Sequence, residues 1–341
     1  MKLRILGQVA AAFVLAFSGL APSHARADNL EAAFDARFGT ELRAPRDFTP
    51  DYNDPLVYRI AQLAEGSNGR IGVAAIDLST GKEVAILGDQ PFPMASTSKI
   101  AIAATYLEGV DQGRWSLTSE FPLMMAVSSR PFSSPVAPVR RGQYMSAMQL
   151  IDLMITRSSN PATDALLAAV GGPAAVNDWA RRAGIQNFNL SRDIATLVRD
   201  DGEVNPAYSI DIRDSATPRD MVKLLGGLYQ GKWLSSMSRH VIIDAMERCR
   251  TGTRRIPAML PGGVTVAHKT GSLSNTSSDI GIITGPDGRS IAVAIYVTGQ
   301  GTRAGREAKI ASIALALYDG YDQSARQWAN ARYASGSGGS Q

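Results

Sequence analysis

The period of the hydrophobic pattern changes twice along the chain. Between residues 70 and 87 two short apolar alternations, IGVAAIDL and KEVAIL, flank Ser79-Thr80-Gly81-Lys82, and together they predict a β-hairpin with its turn. A helix is predicted just upstream, from Pro55 to Ala64, and residues 28 to about 50 read as an irregular lead-in. From Ser96 to about residue 248 the apolar positions recur at helical spacing, predicting helices over 97–109, 146–157, 161–170, 173–183, 218–229 and 235–248. Thr217-Pro218 supplies one of these with a cap residue followed by proline at the first helical position. Alternation then returns in GVTVAHKTG at 263–271, in SDIGIITG and in SIAVAIYVTG, the last two joined by the turn Pro286-Asp287-Gly288. Ile310, Ile313, Ala314 and Leu317 mark a closing amphipathic helix over about 306–318, and the tail ASGSGGSQ reads as disordered.

Strands at both ends with helices between them predict two units. Residues 28–95 and 249–325 make a discontinuous α/β sheet domain, and residues 96–248 make an inserted all-helical domain carrying a long loop at 190–214. Residues 330–341 form the disordered tail. A cleft between two such units is the natural place for a site.

Composition adds a leader and removes several function classes. Lys2 and Arg4 precede an uninterrupted apolar run from Val9 to Phe17, and Ala25-Arg26-Ala27 follows. A basic head, a short apolar middle and a small-x-small end predict a signal peptide, residues 1–27, cut after Ala27 and directing the chain to the periplasm. The run is too short for a membrane anchor. A lipid anchor would need a cysteine at the cut, and the one cysteine is Cys249. The formal charge of +4 falls to about +1 once three of the 35 basic residues leave with the leader, so nothing favours nucleic acid. One cysteine allows no internal disulfide. No Cys/His metal spacing exists, so neither metal nor other cofactor is expected, and a monomer is expected.

The candidate chemistry starts at PFPMASTSKI, residues 91–100. Ser96 stands at the mouth of a helix with Lys99 one turn behind it on the same face. The pattern alone is cheap, because Ser79 to Lys82 repeats it in a hairpin turn. A neutral lysine could take the serine's proton, but about 4 kcal/mol must first be withdrawn from its ammonium form. Burial and a nearby positive charge would both act in that direction. Otherwise Lys99 is a solvated surface lysine. Two further patterns follow downstream, each occurring once: Ser158-Ser159-Asn160 and Lys269-Thr270-Gly271, the latter leading to Ser272. Asn160 and Thr270 could instead be a helix cap and an ordinary strand residue. His268 would point away from the face of Lys269, and no Gly-x-Ser-x-Gly turn exists, so it reads as a framework residue.

Ser-x-x-Lys, Ser-x-Asn and Lys-Thr-Gly, in that order on helix, loop and strand, resemble the trio of class A β-lactamases and penicillin-binding proteins. The segment from Pro91 to Lys99, Leu260-Pro261-Gly262-Gly263 leading into HKTGS, Ser278-Asp279-Ile280-Gly281 and Asp214-Ser215-Ala216-Thr217-Pro218 extend the resemblance over most of the chain after the leader. The resemblance implies a β-lactamase/DD-peptidase-like fold, with a five-stranded antiparallel sheet flanked by helices beside an all-helical domain. It implies Ser96 as nucleophile, Lys99 as its activating partner, and Ser158 relaying a proton to the leaving nitrogen with Lys269 polarising it. Asn160 would meet the substrate's side-chain amide, and Lys269 and Thr270 its carboxylate. The backbone N–H groups of Ser96 and Ser272 would form an oxyanion hole, about 3–4 kcal/mol for one donor. The implied substrate is a β-lactam or a D-alanyl-D-alanine-type peptide.

The pattern breaks in the omega-type loop, Leu190-Ser191-Arg192-Asp193-Ile194. The family places a glutamate two residues after the arginine to activate the deacylating water; here that position is Ile194. Arg192 and its presumed partner Asp214 remain, and the segment between them is longer than usual for the family. Glu203 first and Asp193 second are the candidate replacements, each otherwise a solvated loop charge. Ser277 and its neighbours stand where many members carry a carboxylate-binding arginine. Three functions follow: a β-lactam hydrolase, a penicillin-binding or DD-peptidase-like protein slow to deacylate, or a catalytically retired cell-wall binding module.

Overall fold

The computed structural model describes residues 40–42, 54–66 and 68–336, with side chains placed over 54–66 and 68–322. The leader with its cut after Ala27 and the last five residues lie outside the described residues.

A five-stranded antiparallel sheet forms from both ends of the chain, in the spatial order Thr265–Leu273, Thr276–Thr284, Ser290–Thr298, Ile71–Asp77, Glu83–Ile86. The alternation seen in the sequence is used on both faces. Val73, Ala75, Val293, Ile295 and Val297 point into one buried cluster with Ile310, Ile313 and Leu317 of the closing helix. Ala74, Ala292, Ala294, Tyr296, Ile280 and Ile282 point into the other, which continues through Ile100, Leu150, Met154, Leu166, Trp179, Leu225 and Met246 of the central helices. One sheet thus serves two cores, which is why its central strands are apolar at nearly every position.

The helices lie close to their sequence-predicted positions: Pro55–Leu63, Lys99–Asp111, Ala147–Thr156, Asn160–Val170, Pro173–Arg182, Pro218–Tyr229 and Ser236–Glu247. Their starts have identifiable caps. Ser146 and Gln149 form a reciprocal capping box, Ser159 caps the helix that opens with Asn160-Pro161, and Thr217 caps Pro218–Tyr229. That last helix packs on Ser290–Thr298 and Ile71–Asp77, so it covers the sheet as well as joining the helical core.

Four features depart from the sequence reading. The 97–109 helix begins as a 3-10 turn, Ala95–Ser98, before Lys99. Within 96–248, read as all-helical, Glu120–Ala126 and Val139–Ser146 form an exposed antiparallel pair, with Phe188–Asn189 and Ser215–Ala216 making a small ladder with Phe92–Pro93. These strands are too short or too solvated to carry a clear hydrophobic period. In the lead-in, Thr40–Leu42 pairs with Ser209–Asp211 of the omega-type loop. The closing helix spans Arg303–Gly336 and so enters the segment 330–341 read as disordered. The stretch SARQWANARYA is made mostly of helix formers with no proline, and the glycines that would stop it come only afterwards.

Candidate active site

Three distant segments meet where the sheet edge faces the helical core. Ala95 takes the left-handed conformation, φ 48°, immediately before Ser96. A non-glycine residue held there is strained, and such strain persists only where surrounding structure over-determines it. Part of that structure is Gly271. A Cβ on it would fall 2.7 Å from the Met94 carbonyl and 3.2 Å from the Ala95 Cβ, so only glycine lets the 265–273 strand lie this close to the turn. Ser96 is half-buried, and its Oγ makes no hydrogen bond among the described residues.

Lys99 is fully buried. Its Nζ lies 2.8 Å from the Ser158 carbonyl, 3.2 Å from Ser158 Oγ and 2.8 Å from Asn160 Oδ1. Ser158 also has a left-handed backbone, φ 57°, and the turn so made accompanies a carbonyl directed at the amine. From the other side Lys269, also fully buried, reaches Ser158 Oγ at 3.0 Å and the Thr270 carbonyl at 2.9 Å. One hydroxyl therefore stands between two lysine nitrogens. Burial drives the Lys99 pKa well below its ordinary value, the Lys269 charge pushes the same way, and Asp164 opposes them. Burial likewise brings Lys269 down to about 8, against the opposing charges of Cys249 and Asp279.

The remaining predicted residues are placed as follows. Thr270 is buried, and its Oγ1 bonds the Thr251 Oγ1 at 2.7 Å. Ser272 is exposed, and its Oγ accepts from Arg255 at 2.7 Å. Asn160 is not the cap of its helix; Ser159 is. His268 is buried and bonded to Asp279, away from the Ser96 centre.

The loop carries the largest corrections. Glu203 pairs with Arg213 at 2.8 Å and faces solvent, and Asp193 caps the short helix Ile194–Arg199 by accepting from Thr196 N at 2.7 Å. Both carboxylates thus have structural partners and neither bonds Lys99. Ile194 itself is 2% exposed, with its N–H donating to Asp164. Arg192 and Asp214 do meet, at 2.6 Å, and Asp214 further accepts from the backbone of Ser191 and Arg192.

Two residues escape the sequence reading. Asp164 lies four positions after Asn160, hence on the same helix face, but its loop partners could not be read from spacing. Arg255, 1% exposed, donates to the Gly271 and Ser278 carbonyls as well as to Ser272 Oγ, and pairs with Glu307. It places a cation behind the strand edge although Ser277 is not an arginine. No motif surrounds it, so no local signal could have found it.

Comparison with known proteins gives a consistent picture. A family model described as the beta-lactamase enzyme family matches residues 55–321. The extended-spectrum beta-lactamase PER-1 of Pseudomonas aeruginosa is 28% identical over 270 residues, 76% of this chain and 85% of that protein. Beta-lactamase CTX-M-8 of Citrobacter amalonaticus is 30% identical over 266 residues, 77% of this chain and 88% of that protein. A solved structure of an ancestral class A beta-lactamase is 35% identical, with a TM-score of 0.67 over 77% of this chain and 99% of that one.

Proposed function

The chain belongs to the beta-lactamase enzyme family, on its class A-like side, and from that premise we propose that it is a serine hydrolase that opens the β-lactam ring through an acyl ester on Ser96. The observation that carries this reading is the buried Lys99 amine set between Ser158 and Asn160, with Lys269 on the same Ser158 hydroxyl. Two acceptors at 2.8 Å need two N–H donors. A neutral amine satisfies both, and its lone pair is then open to a hydroxyl proton, with the Ser158 hydroxyl already 3.2 Å away.

In this mechanism Lys99 takes the Ser96 proton as Oγ attacks the ring carbonyl carbon. The C–N bond breaks, and the proton reaches the leaving nitrogen through Ser158 Oγ, whose own proton is replaced from Lys99. The Lys269 ammonium, 3.0 Å away, polarises that relay. Backbone N–H groups of Ser96 and Ser272 would hold the oxyanion. The Asn160 amide nitrogen is left for the substrate's side-chain amide while its oxygen accepts from Lys99. Lys269 and Thr270 would meet the substrate carboxylate, with Arg255 adding positive potential from behind Ser272.

A second reading, an acyl-enzyme that outlives ordinary turnover in the manner of a penicillin-binding or DD-peptidase-like protein, is favoured by the loop. The position that would activate water is a buried isoleucine, and Glu203 and Asp193 are engaged elsewhere. Intact-protein mass spectrometry after mixing with a penicillin or a cephalosporin tests both. A Ser96 adduct that persists for many minutes supports the second reading, and one that decays with product release supports the first. No adduct at all would refute both and leave a retired binding module. The proposal includes periplasmic export with a cut after Ala27 and action as a monomer, to be checked by N-terminal sequencing and sedimentation of the secreted protein.

A further inference from the structure

The middle of the omega-type loop is attached at two places, and one of them is the chain's own N-terminal region. The first attachment is the turn that ends the catalytic strand. Asp201 accepts from Ser274 N with both carboxylate oxygens, at 2.8 and 3.0 Å, and Asn275 Nδ2 donates to Asn205 Oδ1 at 2.9 Å. Ser274 stands two residues past Ser272, whose N–H is assigned above to the oxyanion. The second attachment is a backbone ladder. Ser209–Asp211 has one strand neighbour among the described residues, Thr40–Leu42, which lies antiparallel to it with Glu41 opposite Ile210. The two attachments are joined. Arg213 holds Asp211 and Glu203 together, each at 2.8 Å, and the Asn205 carbonyl accepts from Ser209 N at 3.1 Å.

We propose that Thr40–Leu42 is a strap that sets the room available to a substrate: by pairing with Ser209–Asp211 it keeps the 200–211 stretch down on the Ser274 turn, and so restricts Ser96 to β-lactams with small acyl side chains. Asp201 is the positioning residue at the other end of the same link. The size limit rests on the acylation of Ser96 proposed above, whereas the strap's hold on the loop stands apart from it.

A cavity of about 50 Å³ remains between the loop and the strand end, lined by Pro93, Leu197, Val204, Pro206, Leu273 and Ser274. Pro93 is three residues before Ser96 and Leu273 is one past Ser272, so the cavity adjoins the catalytic centre from both segments. At about 10–15 Å³ for each water, it has room for a few waters and for no large substituent. The ends of the loop are fixed by the Arg192–Asp214 pair and by Asp164, which leaves the 200–211 stretch to the two attachments. Asp201, Glu203 and Asn205 are all exposed, and contacts so solvated hold a loop weakly one by one. The ladder adds bonds that do not depend on side-chain rotamers, and it covers a strand edge that would otherwise be bare. A substituent that needs more room must therefore open the turn contacts and the ladder together.

The test uses the whole chain carrying Glu41→Pro and Leu42→Pro together. Successive N–H groups of a strand point to opposite sides, so one of the two lost donors belongs to the ladder whatever its phase. Hydrogen exchange of the unreacted protein, read by mass spectrometry, should speed up about tenfold over 206–212 and 273–276 and stay unchanged over Ser290–Thr298. Acylation by ceftazidime, whose acyl side chain is much the bulkier, should gain about tenfold on acylation by benzylpenicillin relative to the parent, both read by intact mass. Asp201→Ala should reproduce the shift in that ratio, and Asp201→Asn, which keeps an acceptor for Ser274 N, should restore the parent's ratio. If the double variant does not melt cooperatively, the single Glu41→Pro and Leu42→Pro variants are read in its place. Exchange over 206–212 within about twofold of the parent overturns the strap. Faster exchange with both acylation rates moving by the same factor overturns the size limit. A parent that neither reagent acylates shows that the acyl ester on Ser96 is wrong and removes the size limit with it, while exchange still decides the strap.

Discussion

Replacing Asp164 by asparagine isolates a carboxylate that links the surroundings of Lys99 to the loop beneath it. Asp164 is 6% exposed, with Oδ1 accepting from Ile194 N at 2.8 Å and Oδ2 from Ala195 N at 2.9 Å. Burial pushes its pKa up from 3.8 to about 6; the charge of Asp193 adds to the rise, while the two N–H bonds and Lys99 only partly offset it. A carboxyl group that holds its proton more tightly in the folded chain than in the unfolded one favours folding most below pH 4. That contribution is lost as pH rises through 6. The interval corresponds to about 3 kcal/mol at about 1.4 kcal/mol per pH unit. Asparagine has no such dependence, but its single carbonyl can accept from only one of the two N–H groups. The other is left buried and unpaired at a cost of about 1–3 kcal/mol. Urea unfolding of both proteins from pH 4 to pH 8 separates the two effects, since titrating groups not coupled to Asp164 cancel in the difference. The variant should be the less stable at pH 4 and should gain about 3 kcal/mol on the parent by pH 8. A difference that stays flat to within about 0.5 kcal/mol would refute the reasoning. Because the Asp164 charge also supports the Lys99 ammonium, the acid limb of Ser96 acylation should move to lower pH in the same variant.

Three other outcomes are expected. Lys99→Met should slow penicillin acylation by about 10²–10⁴-fold, read by intact mass, without lowering the urea midpoint; acylation within tenfold of the parent would exclude Lys99 as base. The Lys269 ammonium loses its proton as pH rises through about 8, so acylation should fall there. Lys269→Arg should carry that alkaline limb above pH 9, measured as rate against pH. Asp214→Ala strands Arg192 and two backbone N–H groups, and should lower stability by about 3 kcal/mol. Calorimetry should record that as a fall of roughly 6–12 °C in Tm, and no change would mean that the loop is held otherwise.

The parts legible in the sequence are those whose signal is local. The hairpin at 71–86 announced itself by alternation, the helices by their 3.6-residue period and caps, and Ser96, Lys99, Ser158, Asn160 and Lys269 by short patterns. The structure bonds Lys99, Ser158, Asn160 and Lys269 into one group, with Ser96 one turn before Lys99, although only their order along the chain suggested it. What stayed hidden are contacts whose partners lie far apart in sequence and follow no period. Asp164 meets residues 30 and 31 positions away, and Arg255 meets Glu307 at a separation of 52. His268 reads correctly as turned from Lys269's face, yet its link to Asp279 depends on strand register. The loop candidates Glu203 and Asp193 show the converse. Residue type alone made them candidates, and an arginine ten positions on and a helix start gave them other work.

The sheet has a consequence for the order in which the protein is made. Strand Ile71–Asp77 lies between Glu83–Ile86 and Ser290–Thr298, so its second neighbour is synthesised more than two hundred residues after it. A nascent chain halted at residue 260 already contains Ser96, Lys99 and Ser158. It lacks Lys269, the glycine that seats the nucleophile turn, and three of the five strands. Loop closure over that span is slow, and until it happens the early strands offer bare edges. Acylating power is therefore acquired late and all at once, when the last strands arrive, and never by a half-built polypeptide.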